Sequence, residues 1–215
     1  EIIGVEVEHY PSMYHAVRGE VGVCGGATLA EGIAVKNVTE RTIEICKRLV
    51  DDIRLVSESK IERAIGMFLA EQKTVAEGAG SAGLAAVLSD PDYFRDRKTG
   101  LVLCGGNIGL RLLASVIYRE LERDQRIVNL RIRIDDRPGI LGRIATLLGE
   151  LGANILEVSH QRMFLDTPAK AADIEIMIET QDGQHAQRIV SAIEQQGFVI
   201  SVLDAPHGRE TARSS

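Results

Sequence analysis

In the run from Ile127 to Ile134 apolar and polar residues alternate from Val128 on, with Val128, Leu130, Ile132 and Ile134 on one side and Asn129, Arg131 and Arg133 on the other. That period fits one kind of element, a strand with one face in a core and the other in water. Beyond Asp136 the period changes. Pro138 reads as the first position of a helix, and Ile140, Leu141, Ile144, Leu147, Leu148 and Leu151 form its apolar stripe. Gly152 is a natural helix stop. Strands are expected over Ile155–Gln161 and Asp173–Thr180. Asp182-Gly183 then breaks the chain before a helix from Gln184 to Gln196, closed by Gly197, and Phe198–Leu203 is a last strand. The order βαββαβ is the ferredoxin-like α+β arrangement. Residues from His207 on lack apolar periodicity and read as a frayed tail.

The preceding segment has another rhythm. Ile2–Val7 is apolar on both faces, as a buried strand in an α/β sheet is. Pro11–Val17 reads as a loop entering a short helix, and the glycine-punctuated run from Gly25 to Ala34 as irregular. Helices are expected from Thr39 or Glu40 to Val50, with Ile43, Cys46, Leu49 and Val50 inward, and from a capping box at Ser59–Glu62, with Ile61, Ile65, Phe68 and Leu69 inward. Asp52–Ser57 reads as a strand, the small residues after Gly78 as a tightly packed helix, and Asp90–Gly100 as a polar loop. Leu101-Val102-Leu103 reads as a short buried strand, ending in Cys104-Gly105-Gly106-Asn107 before an amphipathic helix to Arg123. Strands alternating with helices mark this part as α/β. Helices outnumber its roughly three strands, so apolar helix surface lacks cover and a partner segment is expected elsewhere. The chain opens at Glu1 on a strand-like run without an initiator methionine, as a piece of a longer protein would.

Composition narrows the function classes. A length of 215 residues allows one or two domains, and 45% apolar residues with 4% aromatics and no Trp call for an aliphatic core. A net charge of −6 without a basic run argues against nucleic acid and anionic membranes as partners. No apolar run is long enough to span a bilayer and no signal peptide is present, so a cytoplasmic protein is expected. Three widely spaced cysteines, Cys24, Cys46 and Cys104, fit neither a disulfide framework nor a metal site. Cys24 and Cys46 read as small core residues.

The turn Asp135-Asp136-Arg137-Pro138-Gly139-Ile140-Leu141 leads into a helix N-terminus. Free amides and a glycine without a side chain can receive a carboxylate there, although a well-capped turn would look the same. Together with Gly152-Ala153-Asn154-Ile155 and the run to Arg162, this segment resembles an ACT domain over residues 126 to 205. ACT domains pair side by side and bind amino acids at the interface, or serve only as dimerisation surfaces. The resemblance implies that Asp136, Arg137, Pro138, Gly139, Leu141, Asn154 and Ile155 face such an effector, Asp136 accepting its ammonium and the amides around Gly139 its carboxylate. His160 and Arg162 read as solvent-facing strand residues.

Gly4-Val5-Glu6, then Thr28 to Val35, then Glu77-Gly78-Ala79-Gly80, then Leu103 to Asn107 stand in an order and spacing that resemble the C-terminal part of threonine and serine ammonia-lyases. These have the tryptophan-synthase-like fold and depend on pyridoxal 5'-phosphate (PLP). The resemblance covers residues 1 to 124 and implies a homo-oligomer acting on a small amino acid, in the leading case L-threonine to 2-oxobutanoate and ammonia, with feedback by an amino acid such as isoleucine or valine. Family members place Ser or Cys at the position of Cys104, beside the PLP pyridine nitrogen. Gly105, Gly106 and Asn107 would complete the floor under the cofactor, and the Gly32 backbone would lie near the ring. Glu77 would stand on the substrate side as a catalytic group, or be an ordinary surface carboxylate. The family's cofactor-anchoring lysine and phosphate loop have no counterpart here: no lysine stands in a Ser-x-Lys-x-Arg-Gly setting, and Lys36 reads as exposed. This chain alone is therefore expected to be inactive. Glu6 matches one acidic position of a cation loop in some members, but Ser12 stands where a second carboxylate is expected, so no metal is expected. Two other readings stay open. One is a non-catalytic ACT sensor on an α/β scaffold. The other is a nucleotide-binding domain using Cys104–Asn107 as its loop, which lacks GxGxxG.

Overall fold

The computed structural model describes residues 1–161 and 171–203, and at 160, 161 and 171 only the backbone. The His160 side chain, Arg162 and the tail from residue 204 lie outside the described residues. Two compact units follow one another, Glu1–Glu120 and Leu121 onward.

The first unit opens with β1 (Ile3–Val7) and α1 (Ser12–Arg18). No side chain at Pro11 caps this helix; the Glu6 carboxylate does, accepting the Met13 N–H at 2.9 Å and the Tyr14 N–H at 2.7 Å. Ser12 Oγ donates to the carbonyls of Val35 and Lys36. Glu6 and Ser12 are thus both engaged in fixing the loop after β1. An irregular run holds a single 3-10 turn, Glu31–Ile33, before α2 (Glu40–Leu49). The inward face expected of α2 is only partly covered: Ile43, Cys46 and Val50 are half-buried and Leu49 is 52% exposed. Cys24 and Cys46 are likewise half-buried, Cys24 packed against the core of this unit.

β2 (Asp52–Val56) pairs with β1 in parallel, and α3 (Glu58–Gln72) follows after Ser57. The capping box expected at Ser59–Glu62 does not form. The helix starts earlier, and the buried Glu62 carboxylate pairs with Arg119 instead; an ion pair holds a buried carboxylate more strongly than an amide at a frayed end does. Ile61 and Ile65 are fully buried, Phe68 and Leu69 half-buried. α4 (Gly78–Ser89) packs tightly with Gly78, Gly80, Ser81, Ala82, Ala85 and Ala86 inside. A short α5 (Pro91–Phe94), capped by Asp90, interrupts the expected polar loop, and α6 (Leu110–Arg123) closes the run.

One strand expected here is absent. Leu101–Leu103 lies in no ladder, and Val102 is 82% exposed. An apolar triplet becomes a strand only where a neighbouring backbone takes its N–H and C=O groups, and the described sheet of this unit holds β1 and β2 alone.

The second unit is an antiparallel sheet in the order β4-β5-β3-β6. Its elements in chain order are β3 (Ile127–Asp135), α7 (Ile140–Glu150), β4 (Asn154–Gln161), β5 (Ala171–Glu179), α8 (Gly183–Gln195) and β6 (Val199–Leu203). The βαββαβ order is that of the ferredoxin-like fold. Alternation puts Leu130, Ile132, Ile134, Ile174, Ile176 and Ile178 against Ile144, Leu148, Ile189 and Ile193 of the helices, an aliphatic core throughout. The other face pairs its charges across strands: Arg131 with Glu175 at 2.7 Å and Arg133 with Asp173 at 3.2 Å. Buried His185 ties the helical layer together. Its Nδ1 accepts the Gln181 N–H, so its Nε2 donates to the Leu151 carbonyl at 2.8 Å. No helix among the described residues is long and apolar enough to cross a membrane.

Candidate functional site

Three glycine-bearing segments of the first unit converge. A cavity of about 270 Å³ is lined by Leu29, Glu31 and Gly32 from the irregular run, Glu77, Gly78 and Ala79 at the start of α4, and Asn107 to Gly109, Arg111 and Leu112 where α6 begins. The glycines are steric requirements. A Cβ on Gly78 would fall on the Leu29 carbonyl, one on Gly80 on the Cys104 carbonyl, and one on Gly32 would reach 3.0 Å from Ala79 Cβ. Gly105 is constrained twice, by φ of 86° and by the Glu77 carboxylate lying where its Cβ would be. The Glu77 N–H donates to the Gly105 carbonyl at 3.2 Å.

Of the residues expected at the cofactor, Gly32, Glu77 and Asn107 therefore line one cavity. Cys104, Gly105 and Gly106 do not line it but form its support, against Gly80, Glu77 and the Val75 carbonyl respectively. Glu77 is half-buried and Cys104 exposed. Arg111 and Leu112 were not singled out in the sequence; their signal was only their place in the first turn after Gly105-Gly106-Asn107. A cavity with a glycine in each of its three walls, Gly32, Gly78 and Gly109, and the Cys104–Gly106 turn behind it fits an aromatic cofactor approached closely by main chain. PLP is such a group.

In the second unit Pro138 is not helical. Gly139, with φ 89° and ψ −12°, has the geometry of the third residue of a type II turn, and the Ile140 N–H reaches back to the Arg137 carbonyl at 3.4 Å. The helix starts only at Ile140 because a left-handed residue cannot sit inside it. Asp136, Arg137, Pro138, Gly139 and Leu141 are exposed, and Arg137 lies 3.3 Å from Asp135. Asn154 and Ile155 are elsewhere. Asn154 pairs with Glu179, which faces Ile127 at the start of β3, whereas the turn follows Asp135 at its end. Along β3 that is roughly 26 Å. The structure does not bring Asn154 and Ile155 to the turn within one protomer. Parallel directions of β3 and β4, forced by the helix between them, put these segments at opposite ends of the sheet.

Residues 1–105 match the family described as pyridoxal-phosphate dependent enzyme, and residues 128–198 match the ACT domain. The chain is 38% identical over 205 residues to an L-threonine ammonia-lyase of Thermotoga maritima, covering 94% of this chain and 51% of that protein. It is 37% identical over 204 residues to an L-threonine ammonia-lyase of Geobacter sulfurreducens, with the same coverage. The chain thus spans about half the length of the curated relatives it matches. Among solved structures, the processed form of threonine deaminase isoform 2 from Solanum lycopersicum is similar, with TM-score 0.49 and 28% identity over 55% of this chain and 36% of that one.

Proposed function

We propose, for a chain that matches the pyridoxal-phosphate-dependent enzymes over residues 1–105 and the ACT domains over residues 128–198, that it is the cofactor-floor and regulatory portion of a threonine ammonia-lyase. The lyase portion runs over residues 1–124 and the ACT portion over 126–205. The reaction is L-threonine to 2-oxobutanoate and ammonia, carried out by a cytoplasmic homo-oligomer and leading toward isoleucine. The observation that carries this reading is the convergence of Gly32, Glu77 and Asn107 on one cavity backed by the Cys104–Gly106 turn.

PLP, when bound, supplies the electron sink that lets an amino acid lose its β-hydroxyl. The chain's residues shape that sink. The Cys104 thiol, on the turn that backs the cavity, would be a weak hydrogen-bond partner for the pyridine nitrogen and, unlike a carboxylate, would not hold it protonated. Gly32 would let main chain approach the ring, with Gly105 in the turn behind it, and Asn107 would lie at its edge. Glu77 presents a carboxylate on the substrate side, placed by its own N–H on Gly105.

The ACT portion senses an amino acid such as isoleucine or valine. The Asp136–Leu141 turn binds the zwitterion, with Asp136 at the ammonium and the amides around Gly139 at the carboxylate. Because Asn154 and Ile155 lie at the other end of the sheet, they reach the effector only from a partner protomer packed antiparallel alongside. Two such sites then form per dimer.

The test compares a full-length protein containing this sequence with residues 1–215 alone, both supplied with PLP and threonine. The full-length protein should release 2-oxobutanoate. The isolated chain should release none and, after borohydride reduction, carry no stoichiometric lysine adduct by mass spectrometry. A full-length protein that binds PLP yet leaves threonine and serine untouched would refute the reading.

A further inference from the structure

The run that brings Gly32 to the cavity is mostly without regular structure, yet it is tied down at several points. The Gly25 N–H donates to the His9 carbonyl at 2.9 Å, and the Tyr10 hydroxyl to the Gly26 carbonyl at 2.8 Å. His9 Nδ1 stands 2.9 Å from the Ala27 carbonyl; a carbonyl only accepts, so Nδ1 carries the proton. These ties come from the residues directly after β1. The next comes from far along the chain: the Leu29 N–H donates to Glu58 Oε2 at 2.8 Å, from the first residue of α3.

Glu58 is an unusual choice for that place. Its Oε1 is buried and makes no hydrogen bond, with His9 Nδ1 at 3.8 Å. Burying a carboxylate oxygen without a partner opposes folding. A glutamate present only to favour the start of α3 would gain the same benefit with its carboxylate in water. The inward orientation has one visible consequence. It holds Leu29, whose carbonyl already touches Gly78, and fully buried Ala30 behind it. Leu29, Gly32 and Gly78 all line the cavity.

We propose that Glu58 is a positioning residue of the cofactor cavity. Through the Leu29 N–H it presses the Leu29–Gly32 segment against the start of α4, and so sets the cavity wall that Gly32 and Glu77 share. The assignment rests on the lyase reading.

Glu58→Gln and Glu58→Met test it in the full-length enzyme. Both keep the side chain's length, and only Gln can accept from Leu29. Three quantities are read: the thermal midpoint of the cofactor-free protein, the PLP dissociation constant by absorbance titration, and kcat and KM for threonine. Glu58→Met should raise the PLP dissociation constant about tenfold, the equivalent of one lost hydrogen bond at ~1.4 kcal/mol. Glu58→Gln should restore it to within about twofold. The cofactor-free midpoints of the two variants should stay close to each other. Wild-type PLP affinity in Glu58→Met, or a loss in both variants that only follows a lowered midpoint, overturns the proposal. A wild-type protein that takes up no PLP overturns the lyase reading itself, and that arm is read separately.

Discussion

Gly80→Ala sets two physical effects against each other at one position. Gly80 lies in the first turn of α4, where alanine should gain ~1 kcal/mol of helix propensity over glycine. The added Cβ, however, would fall 2.2 Å from the Cys104 carbonyl oxygen and 2.9 Å from that of Gly105. The nearer is roughly 1.2 Å short of ordinary van der Waals contact. Both obstacles are main chain, so no side chain can swing aside. Overpacking of this kind costs about 1–3 kcal/mol, and subtracting the propensity gain leaves a net loss of up to about 2 kcal/mol. The Cys104–Gly105 turn has to move as well, so cofactor retention should fall further than stability alone explains. Gly83, in the same helix, is the internal control: its Cβ would meet Leu101 Cδ2 at 3.5 Å, an ordinary contact. Gly83→Ala should be neutral or stabilising by up to ~1 kcal/mol. Urea unfolding of the cofactor-free full-length protein, with PLP titration of each variant, measures both. Gly80→Ala proving as stable and as retentive as Gly83→Ala would refute the close packing of α4 against the Cys104 turn.

Three further outcomes are expected. Cys104→Ser should keep PLP occupancy while Cys104→Ala lowers it; because Cys104 is exposed, neither should change the stability of the cofactor-free protein by more than the roughly 0.5 kcal/mol typical of surface changes, and calorimetry beside the cofactor absorbance separates the two effects. Gly139→Asp should abolish binding of a branched-chain amino acid, both by strain at φ 89° and by placing a like charge at the ligand carboxylate, and Asn154→Ala should weaken it with the dimer intact; titration calorimetry with isoleucine, valine, threonine and serine reads this, and if none of them binds wild type the ACT portion only assembles. Tyr93→Phe should raise the Glu1 carboxyl toward 4.5, since the Tyr93 hydroxyl and then Arg97 hold it below that value. The Glu1–Tyr93 link is therefore present above the ordinary carboxylate range and fades as pH falls through the lowered pKa, and a carboxyl-carbon NMR titration that finds Glu1 unmoved by the substitution would contradict it.

Periodicity made the ACT half readable. Leu130, Ile132 and Ile134 alternate because one face of β3 meets two helices, and the stripe through Ile144 and Leu148 answers it. Such patterns are local, and burial on one face leaves little choice of register. Gly139 shows the limit of local rules. Pro138-Gly139 fits a helix start and a type II turn equally well by residue type, and the positive φ decided for the turn.

In the first unit the motifs were legible as strings, while their meaning is spatial. Resemblance to the ammonia-lyases put Gly32, Glu77 and Asn107 among the candidates at one cofactor, and folding places them around one cavity. Nothing in the sequence marked Glu58, because its link to Leu29 joins residues 29 positions apart. The same is true of Glu62, which looks like a helix cap until Arg119 arrives from α6. Leu101–Leu103 has strand composition without a strand, since a ladder needs a second backbone that composition does not supply. The separation of Asn154 from the Asp136 turn also belongs to the tertiary structure. The sequence determined which faces are apolar and where the chain can turn, because those depend on neighbours one to four residues away. Which side chains meet, and which candidate residues lie far apart, was decided by the tertiary structure, in which strand order and direction set distances that no local period encodes.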